Sequence, residues 1–246
     1  MSASFDLANL VVVLVRTRNP LNIGAAARAM TNFGASRLRL VNPYSVAFRE
    51  AHSAVGASEL LKKSEEFTTV AEAVSDCELV VGTTAARNRI LQHPLHRLDH
   101  QSGAMVQKHL RAGRVAILFG SEKIGLTNED FSHCHALLHI PTRADHVSMN
   151  LGQAVAVCLY ELARDTAAED SGQIPELAAA AVNEEITTAL VEALDRSGYI
   201  KPGGEAACQK KARRMVLRLQ LAAEDAKVFL GMVRQIVWRL RQSGKD

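Results

Sequence analysis

Asn9 to Val15 reads Asn-Leu-Val-Val-Val-Leu-Val, and no other stretch constrains the fold as strongly. An aliphatic, β-branched run of this length lacks the polar alternation of a strand that faces water. It suits a strand covered on both faces, as in a parallel sheet with helices above and below. Four more apolar runs follow, at Leu38 to Val41, Leu79 to Val81, Val115 to Phe119 and Leu137 to Ile140. Helical patterns separate them: Ala25 to Phe33, dense in alanine and closed by Gly34; short segments at Ala47 to Ala51 and Ala57 to Lys63; Val70 to Val74; Val106 to Leu110; and Asn150 to Leu162. This alternation places the chain in the α/β class with a mainly parallel sheet. From Arg87 to about Gln101 the chain is rich in Pro and His and reads as a long loop, a kind that is often functional.

Ligands of open parallel sheets gather at the carboxyl ends of the strands. Three expected strand ends carry small or polar residues beside exposed backbone. They are Gly82-Thr83-Thr84-Ala85, Gly120-Ser121-Glu122, and Ile140-Pro141 with Val147-Ser148-Met149-Asn150 after it. The first strand runs into Arg16-Thr17-Arg18-Asn19-Pro20, a turn after which Asn22 is placed to cap the alanine-rich helix. Arg28 stands alone among those alanines. Either it points outward into solvent, or, lying under two turns from the loop, it borders one cleft together with Asn22. Glu122 also has two readings: it organises the Gly-Ser-Glu loop, or it is an ordinary exposed acid beside Lys123. None of the loops has the glycine spacing of a dinucleotide fingerprint or of a phosphate-binding P-loop, which removes those two nucleotide classes.

Composition narrows the field further. Aromatic residues are 4% of the chain, too few for a base-stacking platform of many rings. No apolar run reaches the roughly 18 residues of a membrane span. Residues 1–6 carry an acid and no basic signal region. Cys77, Cys134, Cys158 and Cys208 show no C-x-x-C spacing and read as reduced thiols of a cytoplasmic protein. His133-Cys134-His135 and the His93, His96, His100 group lack further ligands at suitable spacing, so no metal is expected.

Residues 166–174 are small, acidic and polar, and read as a linker between a domain over 1–165 and an all-helical extension over 175–246. Pro175 suits a first helical turn, followed by a stripe of Leu177, Val182, Ile186, Leu190 and Leu194. A turn over Gly198 to Gly204 precedes a second helix, Ala206 to Leu219, whose basic face carries Lys210, Lys211, Arg213, Arg214 and Arg218. A third helix, Ala222 to Arg241, has a stripe of Val228, Phe229, Met232, Val233, Ile236, Val237 and Leu240. From Glu205 onward ten Lys/Arg face four Asp/Glu, a net +6; the rest of this +3 chain is therefore −3. A basic tail on a mildly acidic domain fits a polyanionic partner or a solvated helix face. Three such helices make a marginal core alone, so the extension is expected to pack on the first domain or on a second copy.

Three segments together carry a resemblance: Asn22-Ile23-Gly24-Ala25-Ala26-Ala27-Arg28-Ala29-Met30, Phe119-Gly120-Ser121-Glu122-Lys123-Ile124-Gly125-Leu126 and Ser148-Met149-Asn150-Leu151. In this order they resemble the three motifs of the SPOUT-class RNA 2′-O-ribose methyltransferases. The tail, with Leu190 to Gly198, Tyr199-Ile200-Lys201-Pro202 and the basic helix after it, is similar to that of the bacterial tRNA enzymes that modify the ribose of anticodon-loop nucleotide 32. The resemblance implies a trefoil knot in the sheet, a homodimer with sites near its interface, and S-adenosyl-L-methionine bound among Thr83, Thr84, Ala85, Gly120, Ile140, Val147, Ser148 and Met149. It implies tRNA as substrate, with Arg28, Asn22, Glu122 and Asn150 in the catalytic set. Arg28 would anchor the target phosphate and stabilise the nascent alkoxide; Asn22 and Asn150 would orient the ribose; Lys210, Lys211, Arg213 and Arg214 would join Arg28 in holding RNA. Related readings are another tRNA or rRNA site and a non-catalytic RNA-binding relative. Ser121 departs from the arginine that many of the tRNA enzymes carry between the glycine and the glutamate.

Overall fold

A computed structural model describes residues 7–44, 58–85, 92–143, 145, 147–164 and 176–243. The strands are β1 (Leu10–Val15), β2 (Arg37–Val41), β3 (Glu65–Phe67), β4 (Leu79–Thr83), β5 (Leu95–Arg97), β6 (Val115–Phe119) and β7 (Ala136–His139). They form one sheet in the order β3-β2-β1-β6-β4-β7-β5, parallel at every pairing. All six residues of β1 are buried. Leu10, Val12 and Leu14 enter one core, while Val11, Val13 and Val15 enter the other. The unbroken aliphatic run is thus the signature of a strand whose two sides both face apolar layers.

The helices are α1 (Pro20–Asn32), α2 (Ser58–Lys62), α3 (Val70–Ala73), α4 (His100–Ala112), α5 (Asn128–Ser132), α6 (Leu151–Ala163), α7 (Ala180–Arg196), α8 (Glu205–Leu219) and α9 (Ala223–Ser243). α1, α4 and α6 cover one face of the sheet through Ile23, Met30, Val106, Leu110, Val155 and Leu159. α3 and α5 cover the other through Val70, Ala73 and Phe131. The alanines of α1 serve close packing on α6: a Cβ added at Gly152 would lie 2.5 Å from the Ala25 Cβ.

Several expectations change. β3 and β5 have no counterpart among the expected strands, and the second replaces part of the expected loop. Both are short, three-residue edge strands with one apolar residue each, Phe67 and Leu95, so they show no apolar period and are held by backbone bonds to one neighbour. α4 starts at His100, capped reciprocally by Asp99 and Ser102, because only one face of it needs apolar residues. Asn19, not Asn22, caps α1: Pro20 occupies its first position, and the Asn19 side chain accepts from the Leu21 amide. The expected segments Ala47 to Ala51 and Arg87 to Arg89, the linker and Pro175 lie outside the described residues. α7 begins at Ala180, after a bridge between Leu177 and Ala222.

The extension packs on the first domain. Ala178, Ile186, Val216, Ala226 and Leu230 form its small core. The Ala180 and Ala181 amides donate to the carbonyls of Cys77 and Ser75 at 2.8 and 2.9 Å. The expected α9 stripe splits, since it is wider than one buried seam. Val233 and Val237 are buried, whereas Val228, Met232 and Ile236 are more than half exposed. Cys77, Cys134 and Cys158 are buried thiols, and burial pushes Cys77 and Cys158 up to about 12. Among the described residues no helix is long and apolar enough to cross a membrane.

Candidate active site

The carboxyl ends of β4, β6 and β7 open into a cleft of about 270 Å³, slightly below the roughly 300–1,000 Å³ typical of small-molecule pockets. Thr83, Thr84, Ala85, Gly120, Ile140, Val147, Ser148 and Met149, the eight residues expected to hold a cofactor, all line it. Glu122 lines it as well, together with Ile124, Leu126, Phe131, Leu151 and Ala154, to which no role was assigned from the sequence. The Gly120 loop folds back tightly: Ser121 bridges Gly125, which has φ +67, and a Cβ at Gly120 would fall 2.1 Å from the Leu126 nitrogen. Only glycine fits at Gly120, because backbone passes where a side chain would stand. Thr142 also lines the cleft, and its buried hydroxyl has no hydrogen-bond partner among the described residues.

Behind the cleft the three motif segments are joined by one chain of hydrogen bonds. Asn22 Nδ2 donates to Glu122 Oε1 at 2.8 Å, and Asn150 Nδ2 donates to Asn22 Oδ1 at 2.8 Å. Asn150 caps α6, its Oδ1 accepting from the amides of Gly152 and Gln153 at 2.9 and 3.4 Å. Glu122 accepts two further bonds, from the amides of Arg18 and Asn19, each at 3.3 Å. Burial raises the Glu122 pKa, but these donors more than offset it, and the carboxyl titrates below its ordinary value. Glu122 is therefore an organiser of the loop, ionised at neutral pH. Asn22 is buried inside α1 rather than at its end.

Arg28 is not among the cleft-lining residues. It lies six residues beyond Asn22 on α1, about 9 Å along the axis, is exposed, and makes no hydrogen bond or ion pair with any described residue.

On the extension, Lys211, Arg214 and Arg218 keep their charged groups free of ion pairs among the described residues, but Arg213 does not belong to an open basic face. It is buried, forks onto Glu184 at 2.7 and 2.8 Å, and donates to Ser132 Oγ at 2.9 Å. Lys210 pairs with Glu129 at 2.5 Å. The helical periodicity of the basic residues did not separate the outward ones from Arg213, whose partners come from other elements. Another pair has no signature in the helical or strand periodicity: Arg16 donates through both terminal nitrogens to the carboxylate of Asp130. Its one legible trace is Thr127-Asn128-Glu129-Asp130, a capping-box spacing in which the Thr127 and Asp130 side chains bind each other's backbone amides.

Fold, cleft and motif order define a methylase, and the chain belongs to the SpoU rRNA methylase family, whose model matches residues 9–160. Among named relatives, the tRNA (cytidine/uridine-2′-O-)-methyltransferase TrmJ of Cronobacter sakazakii is 33% identical over 243 residues, 94% of this chain and 96% of that protein. A Haemophilus influenzae protein described as an uncharacterized tRNA/rRNA methyltransferase is 33% identical over 247 residues, 98% of this chain and 99% of its own. The crystal structure of TrmJ from Z. mobilis ZM4 superposes with a TM-score of 0.79 at 31% identity, covering 93% of this chain and 99% of that one.

Proposed function

We propose that this chain is a tRNA 2′-O-methyltransferase that uses S-adenosyl-L-methionine, works as a cytoplasmic homodimer, and acts on the ribose of nucleotide 32 in the anticodon loop. The observation that carries the reading is the Glu122–Asn22–Asn150 chain, which ties the three motifs into one unit behind the cleft; Arg28 is exposed on the same helix as Asn22. The cleft suits the cofactor: apolar Ile140, Leu126 and Met149 would flank its nucleoside body, and the backbone at Gly120 would be within reach of its polar atoms. When bound, the cofactor supplies an electrophilic methyl group on a sulfonium. The trefoil-knotted path belongs to the same family reading. The homodimer is supported by exposed apolar Leu21 on α1 and Val157 and Tyr160 on α6.

Methyl transfer to a hydroxyl is an in-line displacement, so the protein must align the ribose oxygen and stabilise it as its proton leaves. Alignment contributes about 7–11 kcal/mol in favourable cases. A guanidinium stays protonated at neutral pH, so Arg28 anchors the phosphate and stabilises the alkoxide rather than acting as base. Glu122, ionised and saturated with donors, holds Asn22 in place. Arg28→Ala is expected to lower kcat by about 10²–10³-fold, the effect of losing one oxyanion donor, while calorimetric binding of S-adenosylmethionine stays intact. Undiminished methylation would remove that role. Mapping ribose methylation on tRNA from cells lacking and regaining the gene tests nucleotide 32; a missing methyl elsewhere would reassign the substrate.

A further inference from the structure

The chain leaves β1 through Arg16, which takes the left-handed conformation at φ 53 and donates its amide to the Val41 carbonyl at 2.8 Å. Its guanidinium meets Asp130, with Nη1 at 3.0 Å from Oδ1 and Nη2 bonded to Oδ2. The Asp130 side chain is only 3% exposed. It also accepts from the Thr127 amide at 2.6 Å and hydroxyl at 2.8 Å, which makes α5 a short unit capped at its own start. The residues flanking Asp130 on α5 face the extension: Glu129 takes Lys210 and Arg213, and Ser132 Oγ takes Arg213 at 2.9 Å. On the other side, Arg18 and Asn19, two and three residues past Arg16, are the backbone donors that hold Glu122. One five-residue helix thus stands between the seat of the extension and the loop that launches Asn22 and Arg28.

We propose that Arg16 and Asp130 are positioning residues for the first-motif loop, and that α5 transmits the seating of the extension, through Arg213, to the catalytic geometry. The proposal rests on the methyl-transfer reading for its kinetic consequence but not for the coupling itself. A left-handed backbone at Arg16 sets the direction of the loop, and the forked pair fixes that direction to α5. Displacing α5 therefore displaces the amides of Arg18 and Asn19, then Glu122 and Asn22. The extension is in this view part of the active site's scaffold as well as a surface for RNA.

The test uses Arg16→Gln, Arg213→Gln and their combination in the full chain. Glutamine tolerates this backbone, as Gln220 already does at φ 45. Because misplacement by 1 Å can cost about 10²-fold, Arg16→Gln is expected to lower kcat by roughly 10- to 100-fold, with the KM for S-adenosylmethionine nearly unchanged. Arg16→Lys, which keeps the charge without the fork, falls between. Arg213→Gln lowers kcat at saturating tRNA, and the double variant is no slower than Arg16→Gln alone, the mark of a shared path. Hydrogen exchange at the Arg18 and Asn19 amides quickens in both single variants. The coupling is overturned if Arg213→Gln changes only the KM for tRNA and leaves exchange untouched, if the two effects multiply, or if Arg16→Gln lowers the melting temperature with kcat intact. Exchange needs no substrate, so it decides the coupling even if the wild-type chain methylates no tRNA, which would refute the functional reading alone.

Discussion

A carboxylate that accepts from Asn22 Nδ2 and from the amides of Arg18 and Asn19 at once is in a setting that no amide reproduces. Glu122→Gln turns one acceptor into a donor facing N–H groups. Bonds to a charged group contribute about 1.5–3 kcal/mol, and about 2–4 °C per kcal/mol applies at this chain size. We expect the melting temperature to fall by several degrees and kcat to fall with it; an unshifted melting curve would contradict the role. His135 is a second residue-scale case. It is wholly enclosed, its Nδ1 accepts from the Val80 amide at 3.0 Å, and burial pushes its pKa down to about 4. The folded state thus keeps His135 neutral where the unfolded chain, near 6.5, takes up a proton. Its contribution is fully present above pH ~6.5 and is lost as pH falls toward 4, by about 3 kcal/mol over that window. His135→Asn retains an acceptor for Val80 and should flatten the stability profile between those pH values in urea titrations. Parallel profiles would show that another group carries the slope.

At the scale of elements, the pairing of α1 with α6 positions Asn22 against Asn150, and it depends on small residues. Gly152→Ala would place a methyl 2.5 Å from the Ala25 Cβ. Overpacking of this kind costs about 1–3 kcal/mol, and the added Ala25→Gly change should recover part of it in thermal melts; no recovery would place the strain elsewhere. The edge strands illustrate the opposite regime. β3 and β5 are defined by backbone bonds to β2 and β7, with Glu65, Glu66, Leu95 and Arg97 exposed. Hydrophobic periodicity has nothing to register there, so only the placement of their neighbours reveals them.

For the whole molecule, the seating of the extension divides its basic residues into those paired within the fold and those left outward. Arg213 and Lys210 are engaged with Glu184 and Glu129, whereas Lys211, Arg214 and Arg218 have no ion pair among the described residues. Neutralising these three should weaken tRNA binding and reduce the salt slope of log K, by about 0.7–0.9 for each phosphate that is no longer neutralised. Neutralising Arg213 should instead loosen the extension. Equal salt slopes in the triple variant and the wild type would assign the outward basic face no part in RNA binding.

The sequence alone determined the two-sided burial of β1, the α/β class and the strand-end loops that form the cleft, because aliphatic runs and strand-end loops are local patterns with one low-energy use; the eight residues around the cleft came from the family resemblance of the motifs in those loops. It left Glu122 undecided, since an acid beside Lys123 looks the same whether its carboxylate is free or holds three N–H groups. It also grouped Arg213 with its outward neighbours and assigned no partner to Arg16. Those matters were decided by tertiary structure alone, for a physical reason. A side chain's charge is local, but whether that charge is buried and paired depends on residues 29 positions away for Glu184 and 114 for Asp130, brought there only by the packing of the sheet, α5 and the extension.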